Sequence, residues 1–391
     1  MKRALAIALL LAIASVSLKA DAASAAAAGN AFGFDLFARL SAGKLEHNIF
    51  VSPYSLSTAL TITWSGARGA TARDMAKTLR LGKAPVTTAL AASDSLRQQL
   101  ISDTAVVLDI ANSLWLHKNF PVKQAFQDLA QQHFDARIAT LDFSDPAAPA
   151  VINNWVSQAT RGKIAKIIDR IMPDMRLYLI NAVYFKGTWQ VQFDPARTEY
   201  QEFYSLNGPA REWPLMRQSG NYLYLKGADF QAVKLPYRGG GTAMYVFLPD
   251  ARDGIKSFVS RLTSINWRRW NGAMARHRGE LWLPRFKATY ETELKRQLTQ
   301  LGMGRAFEDD ANFSGISTRP LAISEVRHKT FLEVNEQGTE AAAVTSVGMR
   351  TTGTRREPPP FEMVVDHPFF VAIADEATGA ILFMGVIVDP Q

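Results

Sequence analysis

The chain has 391 residues, of which 47 % are hydrophobic, 20 % charged and 10 % aromatic, with no cysteine and a formal charge of +8. Such a composition is globular and excludes intrinsic disorder, collagen-like repeats and disulfide-rich mini-proteins. Without cysteine there is no thiol nucleophile, no redox pair and no thiolate metal ligand. The fold must therefore be held by its core alone.

The first 22 residues have the pattern of a secretory signal peptide. Lys2 and Arg3 precede an apolar stretch from Ala4 to Val16, and the sequence Ala20-Asp21-Ala22 follows. A charged start, a short apolar run and an A-x-A end are the signature of such peptides. A membrane anchor is the less favoured reading, because a span needs roughly 20 apolar residues. We expect cleavage after Ala22 and export to the periplasm or the extracellular space, with no membrane segment in residues 23–391.

In the first 170 residues, apolar spacing and turn chemistry predict mostly helices. Ser52-Pro53 marks one helix start, because serine caps helices and proline suits their first turn. The predicted helices cover residues 30–40, 53–64, 70–79, 122–134 and 149–160. Short strands are predicted at 48–52 and 106–115.

After residue 175 the pattern changes to strands. The run 177–185 is almost continuously apolar, which indicates burial on both faces. Further strands are predicted at 199–204, 213–216, 222–225, 232–235, 243–248 and 280–290, the last interrupted at Pro284. A helix at 291–301 and a closing hairpin of residues 369–374 and 381–388 complete the chain. Because helices and strands are segregated and no linker divides the chain, the sequence predicts one α+β domain over residues 23–391.

No catalytic motif is recognisable. The sequence has no G-x-S-x-G elbow, no P-loop, no G-x-G-x-x-G and no H-E-x-x-H, and its six histidines form no i, i+4 pair. We therefore expect no enzyme activity, no metal and no cofactor. The basic segment Trp267-Arg268-Arg269-Trp270, with Arg276, His277 and Arg278, has two readings. We favour a solvated helix face with the tryptophans inward, and weak polyanion binding is the alternative.

The segment from Glu336 to Pro360 is unusual. About twenty small, polar and Pro-rich residues join two strand-like runs, and loops of this length in compact domains are usually functional. Alternate residues from Thr339 to Met349 are small or apolar and uncharged, whereas the intervening set, which includes Val344, carries the charges and is expected to face outward. This is the period of a strand with one buried face, so the sequence predicts that the exposed loop can become a buried strand.

With this segment and four others, the chain resembles the serpin family of serine protease inhibitors over essentially all of residues 23–391. The hinge Glu336-Gln-Gly-Thr-Glu-Ala-Ala-Ala343 is similar to the inhibitory hinge of the family. Further similar segments are Asn48-Ile-Phe-Val-Ser-Pro-Tyr-Ser55, Leu179-Ile-Asn-Ala-Val-Tyr-Phe-Lys-Gly-Thr-Trp189, Asp366-His-Pro-Phe369 and Ile381-Leu-Phe-Met-Gly385.

The resemblance implies the serpin fold: three β-sheets, eight or nine helices and an exposed reactive-centre loop at about 336–360. It also implies a metastable, monomeric suicide inhibitor. A serine or cysteine protease attacks the loop, and the cleaved loop then inserts into the central sheet and traps the covalent complex, an example of stored strain. The alternative is a non-inhibitory serpin-fold protein that binds a ligand or acts as a chaperone. No nucleic-acid or membrane partner is implied.

The resemblance also assigns site residues. The hinge comprises Glu336, Gly338, Thr339, Glu340, Ala341, Ala342 and Ala343, with Thr339 expected to be buried first on insertion. The breach, where the sheet opens, comprises Trp189, Arg285 and Glu336. The shutter beneath the sheet comprises Ser52, Ser55, Asn181 and His328.

The scissile bond is predicted from the usual family spacing, sixteen residues after the hinge glutamate. This spacing places it at Thr352-Gly353, which suits an elastase- or subtilisin-like protease. The alternatives are Arg350, Thr351, Arg355 and Arg356, of which the arginines suit trypsin-like proteases.

Overall fold

The computed structural model describes residues 2–43, 45–339 and 359–391. Within these residues, no helix has both the length and the apolar character needed to cross a membrane. The helices of the described residues are α1 (Lys2–Leu40), α2 (Pro53–Ser65), α3 (Gly69–Thr78), α4 (Val86–Ser102), α5 (Gln124–Phe134), α6 (Ala148–Ala159), α7 (Ile255–Ser260), α8 (Ser264–Ala273) and α9 (Lys295–Leu298).

The described strands form two sheets. They are β1 (Ile49–Val51), β2 (Val106–His117), β3 (Arg137–Leu141), β4 (Leu177–Thr188), β5 (Glu199–Tyr204), β6 (Ala210–Lys226), β7 (Phe230–Pro236), β8 (Thr242–Pro249), β9 (Ala275–Pro284), β10 (Phe286–Glu293), β11 (Glu325–Asn335), β12 (Gly338–Thr339), β13 (Phe361–Val364), β14 (Phe369–Asp375) and β15 (Ile381–Ile387). The nine-stranded sheet has the order β1-β15-β14-β8-β7-β6-β9-β13, with β5 on β6, and the six-stranded sheet has the order β10-β11-β12-β4-β2-β3.

The α+β class is confirmed, but the number of separate sheets differs from the expected three. The seventeen-residue β6 pairs with β5 over residues 210–215, with β9 over residues 215–224 and with β7 over residues 223–226. This one strand therefore joins two expected sheets into one hydrogen-bonded surface. The two short strands predicted at 213–216 and 222–225 are both parts of β6.

Several predicted boundaries are wrong. The helix predicted at 291–301 begins only after β10, which ends at Glu293. Residues 276–278 lie on β9 and not on the helix with the two tryptophans. The helix predicted from residue 30 is the end of α1, which is continuous from Lys2 and contains the fully buried Ala22.

The six-stranded sheet is covered on both faces. On one face, β2 and β4 pack against α6 and the isoleucines of residues 164–171. On the other face, β4 and β11 share a core with the nine-stranded sheet and with α2. Any strand added to the middle of this sheet would therefore be buried on both sides.

Candidate functional site

The short strand β12 lies between β11 and β4 at one end of the six-stranded sheet. Gly338 and Thr339 pair with β11 on one side and with Thr188 and Gly187 of β4 on the other, antiparallel to both. Beyond β12, β11 and β4 pair directly, from Glu325 with Tyr178 to Phe331 with Tyr184. β12 thus separates β11 from β4 at this end of the sheet, whereas the two strands pair directly at and beyond Phe331 and Tyr184.

This geometry places Thr339, the residue expected to be buried first on insertion, between β11 and β4. Thr339 is already fully buried, and its hydroxyl lies 2.7 Å from the hydroxyl of Tyr237. Tyr237 is itself fully buried and stacks on Trp189, with ring centroids 4.6 Å apart. Burial raises the pKa of the Tyr237 phenol, and the hydrogen bond to Thr339 offsets only part of this effect. A protonated phenol therefore holds the start of the hinge in the sheet.

Two glycines allow the hinge to approach β4 this closely. Gly338 has φ of 146°, and a Cβ at this position would lie 2.1 Å from the carbonyl oxygen of Gly187. A Cβ on Gly187 would in turn lie 2.7 Å from the ring of Tyr237. At Gly338 a residue with a side chain would be strained at this φ and would clash with β4. At Gly187 a side chain would clash with the Tyr237 ring.

The predicted breach residues meet directly above β12. The carboxylate of Glu336 accepts hydrogen bonds from Arg285, with Nε at 2.8 Å and Nη2 at 2.6 Å, and from the Thr198 hydroxyl at 2.5 Å. Burial raises the pKa of Glu336, but the hydrogen bonds from Arg285 and Thr198 outweigh this effect and lower it overall. Trp189 donates from Nε1 to the carbonyl oxygen of Asn335 at 3.0 Å.

The four predicted shutter residues form one hydrogen-bonded group with Asn112, named here the central cluster. The backbone N–H of Ser52 donates to His328 Nε2 at 3.1 Å, so the ring proton is on Nδ1 and is donated to Asn181 Oδ1 at 2.5 Å. The Asn181 amide donates to the Ser55 hydroxyl and to Asn112 Oδ1. Burial lowers the pKa of His328 to about 3, which keeps the imidazole neutral.

The central cluster bridges the two strands that the hinge separates higher up. His328 of β11 is paired with Asn181 of β4, whereas Ser52 caps α2 and its hydroxyl donates to the carbonyl oxygen of Leu382 at 2.6 Å. Parting β11 from β4 here would break the His328–Asn181 hydrogen bond. Ser52 is held separately, at the start of α2 and by its hydrogen bond to β15 of the other sheet. The cluster is therefore placed where strand separation changes its hydrogen bonding.

Three contributing residues were missed from the sequence: Thr198, Asn112 and Tyr237. Asn112 lies within a predicted strand, Thr198 just before one and Tyr237 shortly after one, and only the pairing of distant segments brings them to the site. No local pattern in the sequence marks any of the three.

The remaining predicted positions fall into two groups. Trp267 and Trp270 are buried and Arg268 and Arg269 are exposed, as the favoured reading of that segment expected. The positions outside the described residues are Glu340, Ala341, Ala342, Ala343, Arg350, Thr351, Thr352, Gly353, Arg355 and Arg356. Among the residues that are described, no cluster of three or more His, Asp or Glu side chains could hold a metal ion.

Comparison with known proteins identifies the family. A family model described as "Serpin (serine protease inhibitor)" matches residues 27–390. An uncharacterized serpin-like protein of Methanosarcina mazei is 34 % identical, with 93 % of this chain and 87 % of that protein covered. Iripin-2 of Ixodes ricinus is 33 % identical, with 92 % of each protein covered.

Solved structures agree with this match. Human thyroxine-binding globulin, in a crystal structure with thyroxine, is 25 % identical with a TM-score of 0.86, covering 95 % of this chain and 100 % of that one. Serpin48 of Tenebrio molitor is 28 % identical with a TM-score of 0.85, covering 94 % and 98 %. The chain belongs to the serpin family, many of whose members inhibit proteases, and it has the serpin fold.

Proposed function

We propose that this serpin is an irreversible inhibitor of serine or cysteine proteases. The target protease attacks the loop of residues 336–360 and forms an acyl-enzyme. The cleaved loop then extends β12 through the six-stranded sheet, and the attached protease is displaced before it deacylates. The single observation that carries this proposal is that β12 already lies between β11 and β4 in a register that can continue.

The register of β12 fits both neighbouring strands at once. Counting six residues on from Thr339 moves the β11 partner from Val334 to His328 and the β4 partner from Gly187 to Asn181. His328 and Asn181 are the two residues that now pair directly. Residue 345 would therefore insert between them without any shift of either strand, and each existing pair would be replaced by two.

One face of the inserted strand would be buried, and the other face would be buried at residue 344. Residues 339, 341 and 343 would share the face of Val334, Leu332 and Thr330, all fully or almost fully buried. Val344, expected to face outward, would lie between Lys329 and the fully buried Ala182, which packs in the cluster under α6. At residue 344 the outward face is thus covered by protein, and a small uncharged residue suits it, whereas residue 340 would lie beside the exposed Lys186.

Gel electrophoresis tests the proposal. The protein is mixed separately with trypsin, an elastase and subtilisin, and a band near the summed masses on a denaturing gel is expected for at least one of them. Mass spectrometry of the released C-terminal peptide locates the scissile bond, expected at Thr352-Gly353. The variant Thr339→Arg should be cleaved without a covalent band, because a charge cannot be buried at this position. Thr339→Val, the matched control, should retain the band.

The alternative is a ligand carrier with the same fold, since thyroxine-binding globulin shows that serpin structures also hold small molecules. Loop cleavage by all three proteases without a covalent band, and without a rise in melting temperature, would favour the carrier. A rise in melting temperature without a covalent band would show that the loop inserts and that another protease is the target.

We also propose that the protein is exported and that residues 1–22 are removed. Because Ala22 is fully buried in α1, cleavage there has to precede the packing of this helix. The mass of the exported protein tests this removal, and a product that retains residues 1–22 would contradict it.

A further inference from the structure

A surface cavity of about 430 Å³ lies beside the breach. It is formed by the chain that follows β4, the middle of β6 and the end of β7, and Trp189 and Phe193 line it. Both aromatic side chains are buried, at 2 % and 3 % exposure, so only a small part of each is accessible from the cavity. Its volume is in the range of sites that hold drug-sized ligands, roughly 300–1,000 Å³.

The charge of the cavity has one sign. The described residues that line it include the cations Lys234 and Arg276 but no aspartate or glutamate. Lys234 is paired with Glu376, whereas Arg276 is exposed at the rim. Hydrogen-bonding groups are also present, with the amide of Gln218 and the hydroxyl of Tyr222 bonded to each other. A floor that is partly aromatic and a cationic rim are complementary to an aromatic anion.

The same cavity touches the residues that hold the hinge. Trp189 lines the cavity with its ring stacked on Tyr237, and the hydroxyl of Tyr237 bonds Thr339. The Trp189 indole N–H also donates a hydrogen bond to the carbonyl oxygen of Asn335, the last residue of β11 before the turn into β12. An occupant that contacts Trp189 is therefore two side chains away from the hinge.

We propose that this cavity binds a small aromatic anion and that binding stabilises the arrangement with Thr339 in the sheet. The regulatory part rests on the proposed inhibitory function, whereas the binding part does not. Coupling between two sites is reciprocal. If the ligand favours the arrangement with Thr339 in the sheet by a given factor, losing that arrangement must weaken the binding of the ligand by the same factor.

Binding is tested with anilinonaphthalene sulfonate, followed by titration calorimetry on the native protein. One saturable site is expected, with weaker binding of the uncharged analogue N-phenylnaphthylamine. Arg276→Gln should weaken the anion about tenfold, the loss of one charge-assisted hydrogen bond. Arg278→Gln is the matched control, since Arg278 is exposed on the same strand but does not line the cavity. Equal affinities for the wild type and Arg276→Gln would overturn the site.

A blocking variant tests the location independently. Asn221 is exposed and lines the cavity, so Asn221→Trp should fill it and abolish the saturable binding. Binding that survives this variant would place the probe elsewhere and overturn the proposal.

Coupling is tested by the affinity of the same probe for Thr339→Arg, and for Thr339→Ala should the arginine variant not fold. We expect at least about fivefold weaker binding when the hinge contact is removed. Unchanged affinity would overturn the coupling. Since no protease is present in any of these titrations, failure to form a covalent complex would contradict the proposed function alone, and failure to bind the probe would contradict this inference alone.

Discussion

The hydrogen bond between Tyr237 and Thr339 offers a direct test of how the hinge is held. Both side chains are fully buried and their hydroxyl oxygens are 2.7 Å apart. Tyr237→Phe keeps the ring that stacks on Trp189 but leaves the Thr339 hydroxyl buried without this partner. Thr339→Val keeps the shape of the hinge residue but leaves the phenol without its partner.

The magnitude follows from the burial. A buried polar group without a partner costs about 1–3 kcal/mol, whereas replacing both partners with apolar groups of similar shape is nearly neutral. Each single variant should therefore lose about 1–3 kcal/mol, and the double variant should lose less than the sum of the two. With about 2.1 cal/mol/K per residue, the unfolding entropy of 391 residues is about 0.8 kcal/mol/K. Each single variant should melt about 1–4 °C below the wild type.

Calorimetric melting of the wild type, the two single variants and the double variant completes a double-mutant cycle. A coupling energy of about 1 kcal/mol or more is expected, because each single variant leaves a buried hydroxyl unpaired. Strictly additive losses would refute the reasoning, since they would mean that the two hydroxyls do not depend on each other. Partial release of the hinge would limit the losses, and faster proteolysis near Glu336 would report it.

Three further predictions concern the breach, the central cluster and the hinge glycine. Glu336→Gln should lower the free energy of unfolding by only about 1–2 kcal/mol at pH 7, because its partner Arg285 is partly exposed. Since the folded pKa of Glu336 lies below its ordinary 4.5, this difference should disappear as the pH falls through the lowered value. Melting curves at several pH values would show this. Because His328 has a folded pKa of about 3, the stability of the wild type relative to His328→Gln should fall by roughly 1 kcal/mol per pH unit from pH 6 towards 4, as acid titration of unfolding would show. Gly338→Ala should lower the melting temperature and speed proteolysis of the hinge, whereas Gly208→Ala, where a Cβ has open space, should change stability by less than about 0.5 kcal/mol.

The elements with strong local patterns were predicted from the sequence. The run that becomes β4 is apolar throughout because both of its faces are covered, and Ser52-Pro53 starts α2 as its capping chemistry requires. The helix α4 was missed because its alanines, serines and threonines give weak periodicity, and its apolar residues are defined by docking against other helices. The continuity of β6 was also missed, since its polar middle has its partner in β9, far along the chain.

The sequence by itself predicts that the segment after Glu336 can become a strand, because alternation and the absence of large or charged residues on one set of positions are local properties. It also supplied the family resemblance that placed Ser52, Ser55, Asn181 and His328 in one cluster. Only the tertiary structure decided that Thr339 is already in the sheet. The phenol that bonds it, the indole behind that phenol and the arginine that holds Glu336 come from three separate segments, and long-range packing alone sets their distances.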